Sequence, residues 1–418
     1  MTKRHLMAVA IVLATTAVGT ARAQGKKESP AAAPAPEAAA AEAEPAAPPA
    51  TAAPTVAQAT DPVEAAPVEA EPAETVTEEA EAPPPPALAV PKISGFLDAT
   101  YNYNMRDPMS GVTPYHAYTA QHDTVLLNTA HLALTGTGAN DAIAYAIEVD
   151  IGSDASVTSG SDDDVDLQEA YVAYTSKMGL GLKAGKFVTF SGIEVIESPA
   201  NPTISRGFLF GLAEPFTHAG VLVTYKFTSE LDAALGVVNG WDVVEDNNDG
   251  KTLTAKVGYT TASYLATLSG YAGPEQPADG ELDPDNVRYM GDLTGMVKFG
   301  PVDLWAQVNA GTEEGASVVM EGEDARWVGA GLQPVWHLLE KLALGARAEV
   351  FSDRQGARTG VPQNLYNLTL APAFTIVTGF VVRGELRYDH SNKLVFEDDE
   401  AVTHQDQVVA LTEASYSF

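Results

Sequence analysis

Over most of the chain, hydrophobic and polar residues alternate at period two, in runs of about ten residues. In Ile143–Ile151 the odd positions are Ile143, Tyr145, Ile147, Val149 and Ile151, and the even ones are Ala144, Ala146, Glu148 and Asp150. Segment 302–310 sets Val302, Leu304, Ala306 and Val308 against Asp303, Trp305, Gln307 and Asn309. Segment 380–388 sets Phe380, Val382, Leu386 and Tyr388 against Arg383, Glu385 and Arg387. Alternation of this kind predicts strands with one apolar and one polar face. The runs come in pairs. Short turns fall at Gly138-Ala139-Asn140, Lys177-Met178, Thr228-Ser229, Thr260-Thr261, Gly300-Pro301, 337–340 and Thr375-Ile376. Long polar loops fall between them, at 105–122, 153–165, 189–216, 240–249, 273–286, 313–324, 353–362 and 390–404. The count is sixteen strands, with fourteen or eighteen one miscounted pair away.

Short turns at one end, long loops at the other and an even strand number are the layout of an outer-membrane barrel. Each run has the ~9–11 residues that cross a bilayer when tilted. Lipid leaves no partner for an open sheet edge, so the sheet must close. The expected fold is all-β: a transmembrane antiparallel up-and-down β-barrel of about 16 strands over residues 93–418, wide enough for a water-filled lumen. Aromatic residues agree with this. Tyr174, Tyr225, Phe227, Tyr259, Phe299, Phe374, Tyr416 and Phe418 stand where even-numbered strands end, and Tyr101, Tyr103 and Tyr388 stand near the opposite rim. Rings with one wet end favour the headgroup level.

The first ninety residues follow another pattern. Lys3 and Arg4 precede an apolar run from 6 to 13, and Ala21-Arg22-Ala23 is a small-x-small cleavage site. Residues 1–23 read as a cleaved export signal, since the apolar run is too short for the ~20 residues of a membrane-spanning helix. Residues 24–92 hold fifteen of the 27 prolines and no aromatic residue. This Ala/Pro/Glu-rich segment is expected to be disordered, a semi-stiff periplasmic tether. It is either a plain spacer or an arm that reaches the cell wall.

Composition narrows the function. The chain carries 56 Asp+Glu against 24 Lys+Arg, a formal net charge of -32, which excludes a nucleic-acid partner. With no cysteine there is no disulfide, Cys-type zinc site, iron–sulfur cluster, thiol nucleophile or lipoprotein anchor. Neither G-x-S-x-G nor His-Glu-x-x-His occurs, so no catalytic residue is assigned. No cofactor or metal site is expected. A calcium reading of 245–256 fails because Lys256 stands where a bidentate Glu is needed; a hairpin turn at Asp249-Gly250 fits better.

Within 185–251 the chain reads G-K-F (185–187), G-x-E (192–194), E-S-P-x-N (197–201), S-R-G-F-L-F (205–210), P-F-T-H-x-G (215–220), N-G-W-D (239–242) and D-N-N-D-G-K (246–251). This resembles the OmpL-like family of β-barrel porins, the β-barrel porin-2 type. The resemblance implies a channel-forming protein in the outer membrane of a Gram-negative bacterium and names no substrate. The final Ala414-Ser415-Tyr416-Ser417-Phe418 resembles the terminal signal presented to barrel-insertion machinery.

Alternation assigns charged residues to the lumen wall. Asp98, Glu148, Asp150, Asp303, Glu349 and Glu385, with Lys183, Lys226, Arg288, Arg347, Arg383 and Arg387, are the expected pore-lining set. On the lipid side each Arg or Lys would cost ~2–4 kcal/mol at mid-bilayer; in a wet lumen it stays solvated. The remaining negative charge lies in the long loops. It forms either an acidic mouth that favours cations, or solvated loops that bind divalent ions among lipopolysaccharide phosphates. Loop 189–216 is too apolar for a loop in water, with Ile193, Val195, Ile196, Ile204, Phe208, Leu209, Phe210 and Leu212. It is expected to fold into the barrel, with Glu194, Glu197, Arg206 and Glu214 as the constriction facing Arg347, Arg383 and Arg387; packing over the outer rim is the alternative.

The function expected is a passive diffusion channel for small hydrophilic solutes or ions, with mild cation preference. It would sit among outer-membrane lipid and lipopolysaccharide, and a barrel of this size is compatible with a homotrimer. The other two readings are an envelope-tethering structural barrel and an outer-membrane hydrolase. For the latter, His131 faces the lumen with no Ser or Asp that the sequence can place beside it.

Overall fold

The computed structural model describes residues 90–138, 141–159, 163–278 and 280–418. Fifteen strands follow one another along the chain. They are β1 (Lys92–Asn104), β2 (Thr124–Thr137), β3 (Ile143–Ile151), β4 (Val165–Thr175), β5 (Leu180–Val188), β6 (Thr217–Lys226), β7 (Leu231–Val238) and β8 (Thr252–Thr260), then β9 (Tyr264–Pro274), β10 (Val287–Phe299), β11 (Val302–Glu313), β12 (Ala325–Leu339), β13 (Leu342–Asp353), β14 (Gln363–Val377) and β15 (Phe380–Ser391). A terminal strand, Asp406–Ser417, completes the set. Each strand pairs antiparallel with the next, and the terminal strand pairs with β1 from Phe96↔Ser417 to Asn104↔Val409. The sheet is therefore a closed barrel of sixteen strands.

The period-two pattern sets the faces as expected. Ile143, Ile147 and Ile151 are exposed on the outer wall, whereas Ala146 and Asp150 of the same strand are buried inside. Along β15, Leu386 and Tyr388 face out while Arg383, Glu385, Arg387 and Asp389 are buried. All eight aromatic residues assigned to the short-turn rim are exposed. An apolar outer surface and a charged interior are what a lipid solvent and an internal polar medium demand of one sheet.

The expected turns shift in two places. β12 runs into the turn expected at 337–340, ending at Leu339, and β14 runs past the turn expected at Thr375-Ile376, ending at Val377. Register slips between His337 and Leu339 and between Thr375 and Val377 explain this. Such bulges insert a residue and hide the true strand end from an alternation count. Loop 153–165 contains an unexpected short helix, Ser153–Ser159. The buried Asp154 carboxylate there accepts from Asn128 Nδ2 at 2.9 Å, holding the helix to β2. The expected signal (1–23) and the tether as far as residue 89 lie outside the described residues, and β1 begins at Lys92.

Candidate functional site: the lumen wall and segment 189–216

Segment 189–216 joins β5 to β6. Its sequence contains Pro199, Pro202 and three glycines, which work against a regular strand or helix. What forms instead is a chain of short turns, including Ser198–Ala200 and a single turn at Leu209–Ala213. Gly192 has φ +98°, and a side chain there would collide with the Glu214 carboxylate. Glycine is therefore required at that bend.

The segment's apolar residues are buried inside the barrel. Phe208, Leu209 and Leu212 pack with Trp241, Trp327, Phe351 and Leu365 of the wall and its loops. Ile196, Phe210 and Phe216 pack with Ala117 and Tyr118 from loop 105–123. Burial of this kind stabilises by about 1.5–3 kcal/mol per large side chain. Polar contacts reach both sides of the barrel. On one side, Gln168 Nε2 of β4 donates to Glu197 at 2.6 Å. On the other, Glu385 of β15 accepts from the Ile204 N–H at 2.6 Å, and Glu349 of β13 accepts from the Phe208 N–H at 2.8 Å.

The arginines of β13 and β15 bond chiefly to this segment. Arg347 donates from Nη1 to Glu194 at 2.7 Å and to the Ser205 carbonyl at 2.6 Å, and from Nε to Asn367 at 3.0 Å. Arg383 donates to the Asn201 and Ser198 carbonyls at 2.5 and 2.8 Å while pairing with Glu413. Arg387 donates to the Arg206 carbonyl at 2.6 Å and to Asp389 at 2.8 Å. Arg347 and Arg387 are 1% and 0% exposed. These side chains are thus not the water-solvated wall groups expected from alternation. Carbonyls and carboxylates of the segment replace water as their acceptors, and buried charges persist when satisfied in this way.

The other assigned residues divide by position. Asp98 is buried near the Arg383–Glu413 pair. Arg288 grips Glu313 with two bonds of 3.0 and 2.8 Å and lies 4.9 Å over the Trp241 ring. Lys183 sits 3.5 Å over the Tyr171 ring and 3.7 Å from Glu169. Asp303, half-buried at the short-turn end, lies near Lys298 and His337. Lys226 is exposed at the same end. Arg206 turns back into its own segment, donating to the Val195 and Ile204 carbonyls at 2.9 and 2.8 Å. Its position binds the segment together.

Glu194 and Glu214 are shifted in opposite directions. Burial disfavours ionised Glu194, but Arg347 and the Gly207 N–H outweigh it and hold its pKa below the usual carboxylate range. Burial pushes Glu214 well above that range, and the nearby Asp292 adds to the rise. Gln307 Nε2 donates to both Glu214 and Asp292 at 2.7 Å.

Beside the segment, toward the short turns, a cavity of about 380 Å³ is lined by residues that include Glu194, Asp232, Lys256, Thr267, Thr294 and Trp305. Over the long-loop end, Glu281, Asp283, Asp285, Glu321, Glu323, Asp324, Asp399 and Glu400 are exposed.

Two groups escaped the sequence reading. Arg358, in a loop read only as polar, is buried over Trp241 and Trp327 and donates to the Leu212 carbonyl at 2.6 Å. His131 does have an acid beside it: Nδ1 lies 2.8 Å from Asp150 Oδ1. The two residues face each other across β2 and β3. Centring the hairpin one or two residues later than Gly138-Ala139-Asn140 would have found that pair. Asp150 and Gln168 are the hydrogen-bond partners of His131 among the described residues.

A family model described as beta-barrel porin-2, OmpL-like, matches residues 91–418. None of the curated proteins compared matches the chain. Among solved structures, an anion-selective porin from Comamonas acidovorans is similar at 12% identity and TM-score 0.56, over 78% of this chain and 99% of that one. The outer membrane channel DcaP of Acinetobacter baumannii is similar at 14% identity and TM-score 0.55, over 78% and 97%. A trimer form of OmpT, an outer membrane protein of Vibrio cholerae, is similar at 13% identity and TM-score 0.54, over 78% and 99%. At such identities these likenesses establish the fold.

Proposed function

The chain belongs to the beta-barrel porin-2, OmpL-like family, and we propose that it works in the outer membrane as a passive diffusion channel for small hydrophilic solutes or ions. The observation that carries this reading is the division of surfaces: apolar outside, densely charged inside, with segment 189–216 bonded to opposite walls. In this reading segment 189–216 narrows the lumen, and solutes pass beside it through the space bounded by Glu194, Asp232 and Lys256. The exposed acids of the long loops supply mild cation preference. The anion selectivity named for the Comamonas porin does not carry over, because selectivity follows wall and mouth charges rather than fold. A homotrimeric assembly fits the same reading, since one similar structure is a trimer form.

The test is single-channel recording of the purified full-length protein in a planar bilayer under a salt gradient. Discrete steps with a reversal potential on the cation side are expected. The preference should fade toward 1 M salt, where the screening length falls to about 3 Å. No steps from folded, inserted protein would sink the channel reading.

The contrast between Glu194 and Glu214 gives a second test. Glu194→Gln removes a negative charge opposite Arg347 and should shift the reversal potential toward anions. Glu214→Gln removes a carboxylate whose burial disfavours its charge, so it should shift the reversal potential less. The stability signs are opposite. Glu214 contributes most below its unfolded pKa and loses that contribution as pH rises toward its raised folded value. Glu194 contributes above its unfolded pKa and loses it as pH falls through its lowered one. Unfolding midpoints measured against pH should lose the matching slope in each variant; identical profiles for both would contradict the assignment.

A further inference from the structure

We propose that His131, Glu148 and Glu197 form a site for one divalent transition-metal ion of the zinc type, tying segment 189–216 to the wall at β2 and β3. Their donor atoms, one imidazole nitrogen and two carboxylate oxygens, all lie within 4.8 Å of one another. Zinc bonds to nitrogen and oxygen run about 2.0–2.2 Å, so small movements of two carboxylates would bring all three into contact. Nothing else in this interpretation depends on ion flow, so the site goes beyond the channel reading and stands or falls apart from it.

The imidazole is prepared for this role. Both acceptors at its Nδ1, Asp150 Oδ1 at 2.8 Å and Gln168 Oε1 at 3.0 Å, require a proton on that nitrogen. In the neutral ring the lone pair is then on Nε2. Nε2 stands 3.6 Å from Glu148 Oε2. A histidine that donates one nitrogen to a carboxylate and aims the other at further carboxylates has the arrangement that orients metal-bound histidines. The ring is also fixed in plane: it stacks on Phe96, with centroids 4.9 Å apart and 16° between planes. Glu197 is held in turn, because the Gln168 amide that accepts from His131 donates to Glu197 at 2.6 Å.

The surrounding charge favours a cation. Glu148 lies directly opposite Glu169 across β3 and β4, and Asp150 opposite Asp166. Like charges facing across strands repel. Lys183 lies 3.7 Å from Glu169 and Lys186 lies 3.4 Å from Asp166, which leaves more carboxylates than lysines in the patch. The donor set contains an imidazole, which selects zinc-type ions over magnesium or calcium. Three protein donors would leave the fourth position of a tetrahedral zinc ion to water.

The test is calorimetric titration of the full-length, detergent-folded protein with Zn²⁺ alone, repeated in excess Mg²⁺. Saturable binding of one ion per chain, undisturbed by Mg²⁺, is expected. His131→Gln and Glu197→Gln should each weaken it at least about 10-fold, and Asp150→Asn about 10- to 100-fold through loss of ring orientation. Glu400→Gln, on an exposed loop, should leave it unchanged. Glu197 lies outside the strands, so its variant remains informative if His131→Gln fails to fold. Affinity should also fall as pH drops and protons compete for the donors. Absence of saturable binding, displacement by Mg²⁺, or equal affinity in wild type and the His131 and Glu197 variants would overturn the site.

Discussion

Replacing Arg347 by Met is expected to cost about 3–5 kcal/mol, the usual penalty for removing one partner of a buried ion pair. The guanidinium makes six hydrogen bonds, four of them to Glu194, Thr203 and the carbonyl and hydroxyl of Ser205 in segment 189–216. Met fills similar volume but leaves Glu194 and Glu349 buried without their cation. The sixteen-strand ladder does not depend on this residue, so the loss should fall on the segment's seat. Folded protein is expected to remain barrel-like on heat-modifiability gels while the segment becomes sensitive to protease and single-channel steps grow larger and noisier. The double variant Arg347→Met with Glu194→Gln should recover part of the loss, because it removes one stranded charge along with its partner. Additive losses in the double variant would show that the pair is not coupled.

Phe208→Ala is expected to have a comparable effect by a different route. Phe208 is fully buried, stands edge-on to Tyr115 at 6.4 Å, and lies 5.1 Å beneath the Arg387 guanidinium. Truncating a buried Phe to Ala costs about 3–5 kcal/mol through lost transfer energy and the cavity left behind. The backbone N–H of Phe208 still reaches Glu349, so the polar seat is retained and only packing is lost. Conductance should rise without a change in ion preference, whereas Arg347→Met changes both. Wild-type step size together with wild-type protease resistance would mean that the segment does not rely on this anchor.

Side-chain alternation carried the fold because the barrel has two solvents. Lipid outside and a polar interior impose opposite demands on successive residues, so Ile143 to Ile151 or Phe380 to Tyr388 can be sorted without knowing their neighbours. The apolar character of segment 189–216 was legible for the same reason. Its partners were not. Arg383 bonds to carbonyls of Ser198 and Asn201, and any residue offers a carbonyl, so sequence holds no mark of the choice. Arg358 was hidden in a loop with no apolar run or alternation to mark it as buried. Bulges near His337 and Thr375 moved strand ends by three residues, and a hairpin centre displaced by one or two hid His131 beside Asp150. These are errors of register, to which a period-two signal is blind beyond parity.

The pairing of Phe96 with Ser417 has a consequence for how the protein reaches this state. Both backbone groups of Gly95 bond to Phe418, so the seam joins the first strand to the residue that follows strand Asp406–Ser417. Bringing those ends together closes a loop spanning nearly the whole barrel, an entropic cost of about 5 kcal/mol by the logarithmic law. A chain that emerges N-terminus first cannot make that seam until its final aromatic residue has arrived. Until then fifteen strands must wait with two unsatisfied edges, the condition most prone to aggregation. Assembly is therefore timed by the arrival of strand Asp406–Ser417, and a lesion near Phe418 should appear as slow maturation and proteolytic loss rather than as an altered channel.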